Sequence, residues 1–299
     1  MGDGAYYFKR QLIWLFASWS VLWLAISTSL RTWLRLAGPA VILCSLLIGA
    51  TLIFGTTVNG ASRWLIIGPL QIQPSELIKP FVILQSANVF AHWKRINWDQ
   101  KLFWLGIFGI ILFLILKQPN LSTAGLIGIL IWLIGLASGV KLRSLIGAAI
   151  LGGSFGIRSI LMNDYQRIRV VSFLDPWQDP QGNGYQLIQS LLAIGSGGWF
   201  GSGFGLSTQK LQYLPIQSTD FIFAVFAEEF GFIGSLMLLV FLIFLAFLGL
   251  RISLRCRQNQ AKLVAIGAIT ILIGQSIINI AVASGVMPTT GLPLPMVSY

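Results

Sequence analysis

The chain has 299 residues, of which 56% are hydrophobic and only 10% charged, with a mean hydropathy of +0.80. Soluble globular domains carry charge on about a quarter of their residues, so this composition excludes one and leaves apolar area that must face lipid. The formal charge of +11 would suggest nucleic acid in a soluble protein; here the basic residues interrupt hydrophobic runs and mark loops, so no nucleic-acid partner is expected.

A membrane-spanning helix needs about 20 mostly apolar residues to cross a hydrocarbon core of roughly 30 Å. The first run follows Lys9 and Arg10 without a small-residue cleavage site, and reads as a retained helix rather than a signal peptide. Runs at 11–30, 36–56, 75–92, 102–118, 121–140, 142–160, about 220–250 and 263–287 predict eight spans in one integral membrane domain covering 1–299. The third run carries Glu76 and Lys79 at one end, and the sixth is glycine-rich and open to a break. The expected class is therefore an all-α polytopic membrane helix bundle. Cys44 and Cys256 lie far apart, in an apolar run and a basic loop, so neither a disulfide nor a metal site is expected.

Alternate junctions hold Arg31, Arg35, Lys94, Arg95, Lys101, Lys141, Arg143, Arg251, Arg255, Arg257 and Lys262, with Asp99 the one acid among them. On the opposite side, Lys9, Arg10, Arg63, Lys117, Arg158, Arg167, Arg169 and Lys210 are diluted by Asp3, Asp164, Asp175 and Asp179. The positive-inside bias puts the first set in the cytoplasm and both chain ends outside. A chain opening outside on the short polar stretch Met1 to Tyr7 and stopping at Tyr299 is expected to lack a helix at each end.

The outer segment 161–219, between the sixth and seventh spans, is too long for a passive connection. It holds the turn-rich stretch from Asp175 to Gly184, a helix candidate too short to cross at Tyr185 to Ile194, and glycines from Gly195 to Gly205 around Trp199 and Phe200. Such segments are typical of interfacial or re-entrant structure lining a cavity, and function is expected there.

Asp220 opens the seventh span beside Phe221 and Phe223. A carboxylate partly desolvated at the outer membrane edge is readier to accept a proton, although Thr219 or Asp220 would equally serve as an N-cap. Glu228 and Glu229 follow on the same predicted helix at mid-membrane depth; they must face the protein interior, as a structural ion pair or as catalytic groups. Pro74, Ser75 and Glu76 make a helix start. Lys79 sits one turn below Ser75 and is expected to point into a cavity. Arg63 and Trp64 belong to a short amphipathic stretch, Ala61 to Gly68, at the outer interface. Arg158, Arg167, Arg169 and Lys210 could gather around an anion such as phosphate, or each could snorkel to headgroups. His92, the one histidine, is taken as interfacial. There is no zinc spacing, P-loop or dinucleotide glycine pattern. A transporter and an enzyme on a lipid-linked substrate both survive; polar and acidic features concentrated on one face favour the enzyme, and no internal repeat supports the transporter.

Motifs spread along the chain closely resemble the SEDS family of peptidoglycan glycosyltransferases. They are Asn59 to Leu65; Gln73 to Leu77 with Lys79; Gln118-Pro119; Tyr165 to Arg167 with Arg169; Phe173 to Trp177, then Gly184 to Gln186 and Gln189-Ser190; Gly195 to Gly205; Gln209 to Pro215; Thr219 to Ala224 with Glu228-Glu229; and Pro288 to Pro295 with Ser298-Tyr299. The wording around Asn59 to Trp64 and Gln209 to Leu211 is most like the cell-division branch.

The resemblance implies ten spans, of which this chain would hold about eight. It implies polymerisation of lipid II on the outer face of the inner membrane, at the division septum, by an inverting transfer that releases undecaprenyl pyrophosphate. Asp220 matches the family's essential aspartate and is expected to be the general base. Arg63, Glu76, Lys79, Arg167, Arg169, Lys210, Ser218 and Thr219 are the expected substrate-binding residues. No cofactor is implied with certainty; a divalent cation, Mg or Mn, could help to neutralise the pyrophosphate. The implied partners are a class B penicillin-binding protein acting as transpeptidase, other division proteins and membrane lipid. A lipid II flippase, an elongation-type polymerase and a non-catalytic scaffold are the alternatives. Ile216, Ser218 and Asn120 stand where many relatives have glutamate, histidine and aspartate, so any catalytic help from those groups must come from elsewhere. Accessibility labelling is expected to place Asp220 at the outer face; a cytoplasmic location would contradict the orientation and the chemistry together.

Overall fold

A computed structural model of the chain describes residues 6–58, 61–67, 70–207 and 220–298. Among these the helices are α1 (Tyr6–Ser27), α2 (Leu30–Phe54), α3 (Pro74–Ala91), α4 (Trp98–Lys117), α5 (Leu121–Ala137), α6 (Leu142–Met162), α7 (Asp164–Leu174), α8 (Tyr185–Ser196), α9 (Ile222–Arg255) and α10 (Asn259–Ala283). Each of the eight apolar runs falls on a helix, and the glycine-rich α6 is unbroken. The count of eight spans does not carry over. Among the described residues five helices, α2, α4, α6, α9 and α10, are long and apolar enough to cross a membrane. Gln11–Ser27 of α1 and Leu121–Ala137 of α5 are apolar but shorter. The last of the helices carrying the eight runs, α3, buries Ser75, Lys79, Gln85 and Ser86 in its interior-facing surface. A helix surrounded by protein tolerates polar groups that lipid would expel, so its sequence need not read as a span.

Three short strands interrupt the helical pattern: β1 (Thr56–Val58), β2 (Ala61–Ile67) and β3 (Leu70–Ile72). They form an antiparallel meander, with Thr57 opposite Ser62 and Leu65 opposite Ile72. The stretch from Ala61, expected as an amphipathic segment, is thus the central strand of a small sheet between α2 and α3, and Arg63 is carried on it. The outer segment gains a helix the composition does not announce, α7, and then a 3-10 turn at Pro176–Gln178 before α8.

The larger core is built where α2, α3, α4, α5 and α10 meet, around Val41, Ile48, Ile78, Val82, Ile111, Ile127, Leu130 and Ile134, all fully buried. A second cluster joins α8, the start of α9 and the end of α10 through Ala193, Phe221, Ala224 and Ala283. Ser190 on α8 donates its hydroxyl to the Ala283 carbonyl at 2.7 Å and fixes that contact.

The feature that positions the end of the bundle carrying Asp220 is a break in α9. Gly231 adopts φ 67° and ψ −164°, so a segment at 222–230 precedes the long membrane-crossing part. A break of this kind frees carbonyls before it and amides after it, and in an apolar setting these must be paired. The glycine-rich loop that follows α8 does this. Ser202 N and Gly203 N donate to the carbonyls of Glu228 and Glu229 at 2.9 and 3.1 Å, while Phe232 N and Ile233 N donate to those of Gly198 and Trp199 at 2.9 and 3.2 Å. Backbone must approach backbone for this pairing. A Cβ on Gly201 would stand 2.1 Å from the Glu229 carbonyl oxygen, and one on Gly231 2.3 Å from the Gly201 nitrogen. Glu228 and Glu229 are therefore not midway along a continuous rod; they close the short first segment. Both are buried, and the Glu228 carboxylate accepts the Ser207 hydroxyl.

Gly201→Ala and Gly231→Ala are each expected to cost about 2–4 kcal/mol, because both need a left-handed backbone and meet backbone atoms. Gly109→Ala in α4, where nothing lies within 4 Å of the added carbon, is expected to be neutral or slightly stabilising. Thermal unfolding of the three purified variants in detergent separates the cases.

Candidate active site

Pro74 occupies the first turn of α3, whose free amides suit proline and the Glu76 carboxylate alike. Glu76 is thereby set one turn from Lys79, and the Lys79 ammonium donates to Glu76 Oε2 at 2.6 Å and to Gln275 Oε1 on α10 at 3.0 Å. Lys79 is 4% exposed, so it points into the protein rather than to lipid. The Glu76 side chain keeps 37% of its accessible surface, and the pair is buried at the cation and open at the carboxylate. Its value for stability is correspondingly small, and its open side presents the Glu76 carboxylate while the ammonium is held inside by Glu76 and Gln275.

The second half of the site forms around the segment after α10. Asn279 donates from one amide nitrogen to the Asp220 carbonyl at 2.9 Å and to the Leu292 carbonyl at 2.8 Å. Gln275, one turn earlier, donates to the Pro293 carbonyl at 2.9 Å while accepting from Lys79. Arg169 on α7 donates to the Thr289 carbonyl at 3.0 Å and lies over the Tyr165 ring at 4.5 Å. Three side chains from two helices thus pin residues 289–293 beside Asp220, and a Cβ on Gly291 would sit 3.7 Å from Asp220 Oδ2.

Asp220 is half-buried in a turn just before α9, whose N-cap is Phe221 with no side-chain cap bond. The N-cap position is thus taken by Phe221, one residue after Asp220. Arg63 reaches the same place from β2. Its Nε donates to the Gln118 carbonyl at 3.0 Å and its Nη2 to the Pro119 carbonyl at 2.6 Å, at the junction of α4 and α5. Burial pulls the Arg63 pKa below its ordinary value; Tyr165, by charge and by hydrogen bond, opposes this, Arg169 adds to it, and the Asp220 carboxylate opposes it. Asp220, Tyr165, Arg169 and Arg63 therefore sit within one electrostatic neighbourhood, and the guanidinium keeps its proton at neutral pH.

Of the residues expected from the sequence, the fold brings together Asp220, Arg63 and Arg169, and ties Lys79 and Glu76 to them through Gln275 and the pinned segment. Arg167 goes elsewhere. It is exposed and lines a separate cavity of about 450 Å³ with Asp164, Asp175 and Asp179. Arg158 is exposed on α6, and Lys117 lies over the Phe113 ring at 5.7 Å. Lys210, Ser218, Thr219 and Ile216 lie outside the described residues. Asn120 caps α5 by accepting from Thr123 N at 3.2 Å, a structural task an uncharged amide performs. Gln275, Asn279 and Tyr165 carry roles that residue-by-residue reading did not assign. For the first two a signal existed: polar amides one turn apart in an otherwise apolar helix must face protein. Among the described residues no group of three or more His, Cys, Asp or Glu side chains gathers as metal ligands.

A profile of the FtsW, RodA and SpoVE family, described as Cell cycle protein, matches residues 1–299. The chain is 50% identical over 299 residues to the probable peptidoglycan glycosyltransferase FtsW of Synechocystis, spanning all of this chain and 76% of that protein. It is 46% identical to the putative peptidoglycan glycosyltransferase FtsW of Mesostigma viride, over 99% of this chain and 72% of the relative. Among solved structures it superposes on a chain from work on the structural coordination of polymerization and crosslinking by a peptidoglycan synthase complex, with TM-score 0.80 and 30% identity over 97% of this chain and 83% of that one. The rod shape determining protein RodA of Thermus thermophilus matches with TM-score 0.71 and 28% identity over 99% of this chain and 82% of that one. The helix bundle, the motifs placed around Asp220 and the full-length match agree: this chain belongs to the FtsW/RodA/SpoVE family.

Proposed function

We propose that the chain is a peptidoglycan glycosyltransferase of the FtsW type, which polymerises lipid II at the outer face of the inner membrane during septal wall synthesis. The observation that carries this reading is the convergence of one carboxylate, Asp220, with Arg63 and Arg169 around the pinned segment 289–293. The relatives named as FtsW glycosyltransferases support the activity.

The reaction joins two lipid-linked sugars. The 4-hydroxyl of the acceptor's N-acetylglucosamine is a poor nucleophile until its proton is removed in the transition state. Asp220 accepts that proton; the oxygen attacks C1 of the donor's N-acetylmuramic acid from the face opposite the leaving group; the C1–O bond to undecaprenyl pyrophosphate breaks with inversion. A well-placed base contributes roughly 10² to 10⁴ in rate. The departing pyrophosphate gathers negative charge and needs fixed donors already aimed at it. Lys79 supplies an ammonium oriented by Glu76 and Gln275, and Arg63 and Arg169 are held by carbonyls that leave part of each guanidinium free to donate. Charge neutralisation by the chain itself is assigned to these cations.

The solved relative from a complex that couples polymerization and crosslinking supports a transpeptidase partner of the class B penicillin-binding type for this chain. Purified protein reconstituted with that partner is expected to convert labelled lipid II into glycan polymer and undecaprenyl pyrophosphate. Translocation of label across the bilayer without polymer would instead make the chain a flippase, and partner binding without turnover would make it a scaffold. Lys79→Gln should lower kcat/KM for lipid II by about 10- to 100-fold, the range for losing a charge-assisted contact to phosphate.

A further inference from the structure

Besides the cavity lined by Arg167, the mechanism leaves a second polar cavity unused. It measures about 470 Å³ and lies at the end of the bundle opposite Asp220, among the turns that follow α3, α5 and α9. The distribution of basic residues puts those turns in the cytoplasm. Trp93, Lys94 and Arg95 form one wall, Gly139 another, and Asn259 with Gln260 a third. Among the described residues no acidic side chain lines it, and none pairs with Lys94 or Arg95. The walls are tied together: Gln260 Nε2 donates to Asn88 Oδ1 at 2.9 Å, and the His92 ring donates from Nδ1 to the Asn88 carbonyl at 2.9 Å. The start of α10 adds to the field, because its N-cap, Gln258, makes no side-chain cap bond and the first-turn amides have no intrahelical acceptor.

A polar cavity lined by uncompensated cations accepts an anion, and its surroundings say which kind. Lys101 at the start of α4 lies over the rings of both Trp93 and Trp98, at 5.4 and 4.8 Å. Tryptophan and lysine arranged in this way mark headgroup depth. Immediately beyond, Leu102 and Phe103 are 63% and 55% exposed and offer an apolar surface beside the cavity wall. The arrangement fits a phosphate in the cavity with acyl chains along α4. Basic cavities between helices on the cytoplasmic side are suited to anionic headgroups.

We propose that this cavity binds the phosphate headgroup of an anionic phospholipid from the cytoplasmic leaflet. The site is independent of the transfer chemistry assigned to Asp220. Native mass spectrometry of the full-length chain in detergent, after titration with phosphatidylglycerol or phosphatidylcholine, tests it. Phosphatidylglycerol should be retained preferentially, and the double variant Lys94→Gln, Arg95→Gln should weaken its retention on the order of tenfold, the scale set by removing two basic residues near an anionic headgroup. Arg31→Gln, Arg35→Gln, which removes two exposed basic residues outside the cavity, should change it less than about twofold, since charge outside a site acts only through screened fields. Equal retention of the two lipids, or equal loss in both double variants, would overturn the proposal. Displacement of the lipid by millimolar inorganic phosphate would reassign the cavity to a soluble anion and overturn it as well.

Discussion

One buried amide nitrogen, that of Asn279, joins two stretches of chain that the sequence separates by more than the whole of α10. It holds the carbonyl of Asp220 ahead of α9 and that of Leu292 beyond α10. Each such bond adds only about 1 kcal/mol net, but a buried carbonyl left without a donor costs about 1–3 kcal/mol, so the pair strongly favours a single arrangement. Gln275 and Arg169 hold the same segment at Pro293 and Thr289. Asp220 is consequently held through its backbone carbonyl beside the segment that Asn279, Gln275 and Arg169 pin.

The break in α9 serves the same end from the other side. A continuous helix through Gly231 would bury no glycine-rich loop and would leave Asp220 at the tip of a rod facing lipid. Because α9 breaks, its first segment lies against α8 and α10 through Phe221 and Ala224, and the glycine-rich loop meets the backbone groups the break exposes. The cations are likewise fixed before any substrate arrives. Arg63 grips two carbonyls at the α4–α5 junction, and Lys79 sits between a carboxylate and an amide. Donors already oriented in a water-poor site stabilise developing charge without reorganising.

How much of this could be read from the residues depends on how local each signal is. The apolar runs, the proline start of α3 and the short helix α8 follow from length and capping, and all appear where the sequence puts them. The number of spans does not, because the apolar stretches of α1 and α5 fall short and α3 is polar for a reason that only its packed surroundings reveal. The sheet around Arg63 is a short apolar run, which periodicity cannot assign to helix or strand. Gly231 reads as a tolerated helical glycine, and what breaks the helix is the Gly201 backbone arriving from far away. Arg167 and Arg169 look interchangeable in a basic stretch. Two positions apart on a helix they diverge by about 200° around the axis, so one reaches Thr289 and the other a separate cavity.

The account stands or falls on Asp220 acting as the base rather than as a structural acid. The most direct measurement is single-turnover polymerisation of labelled lipid II by Asp220→Asn alongside its binding of the same substrate. The account predicts binding within about threefold of the parent and a polymerisation rate lower by at least about 10², the smaller end of what a general base contributes. Unchanged polymerisation by the variant would contradict it.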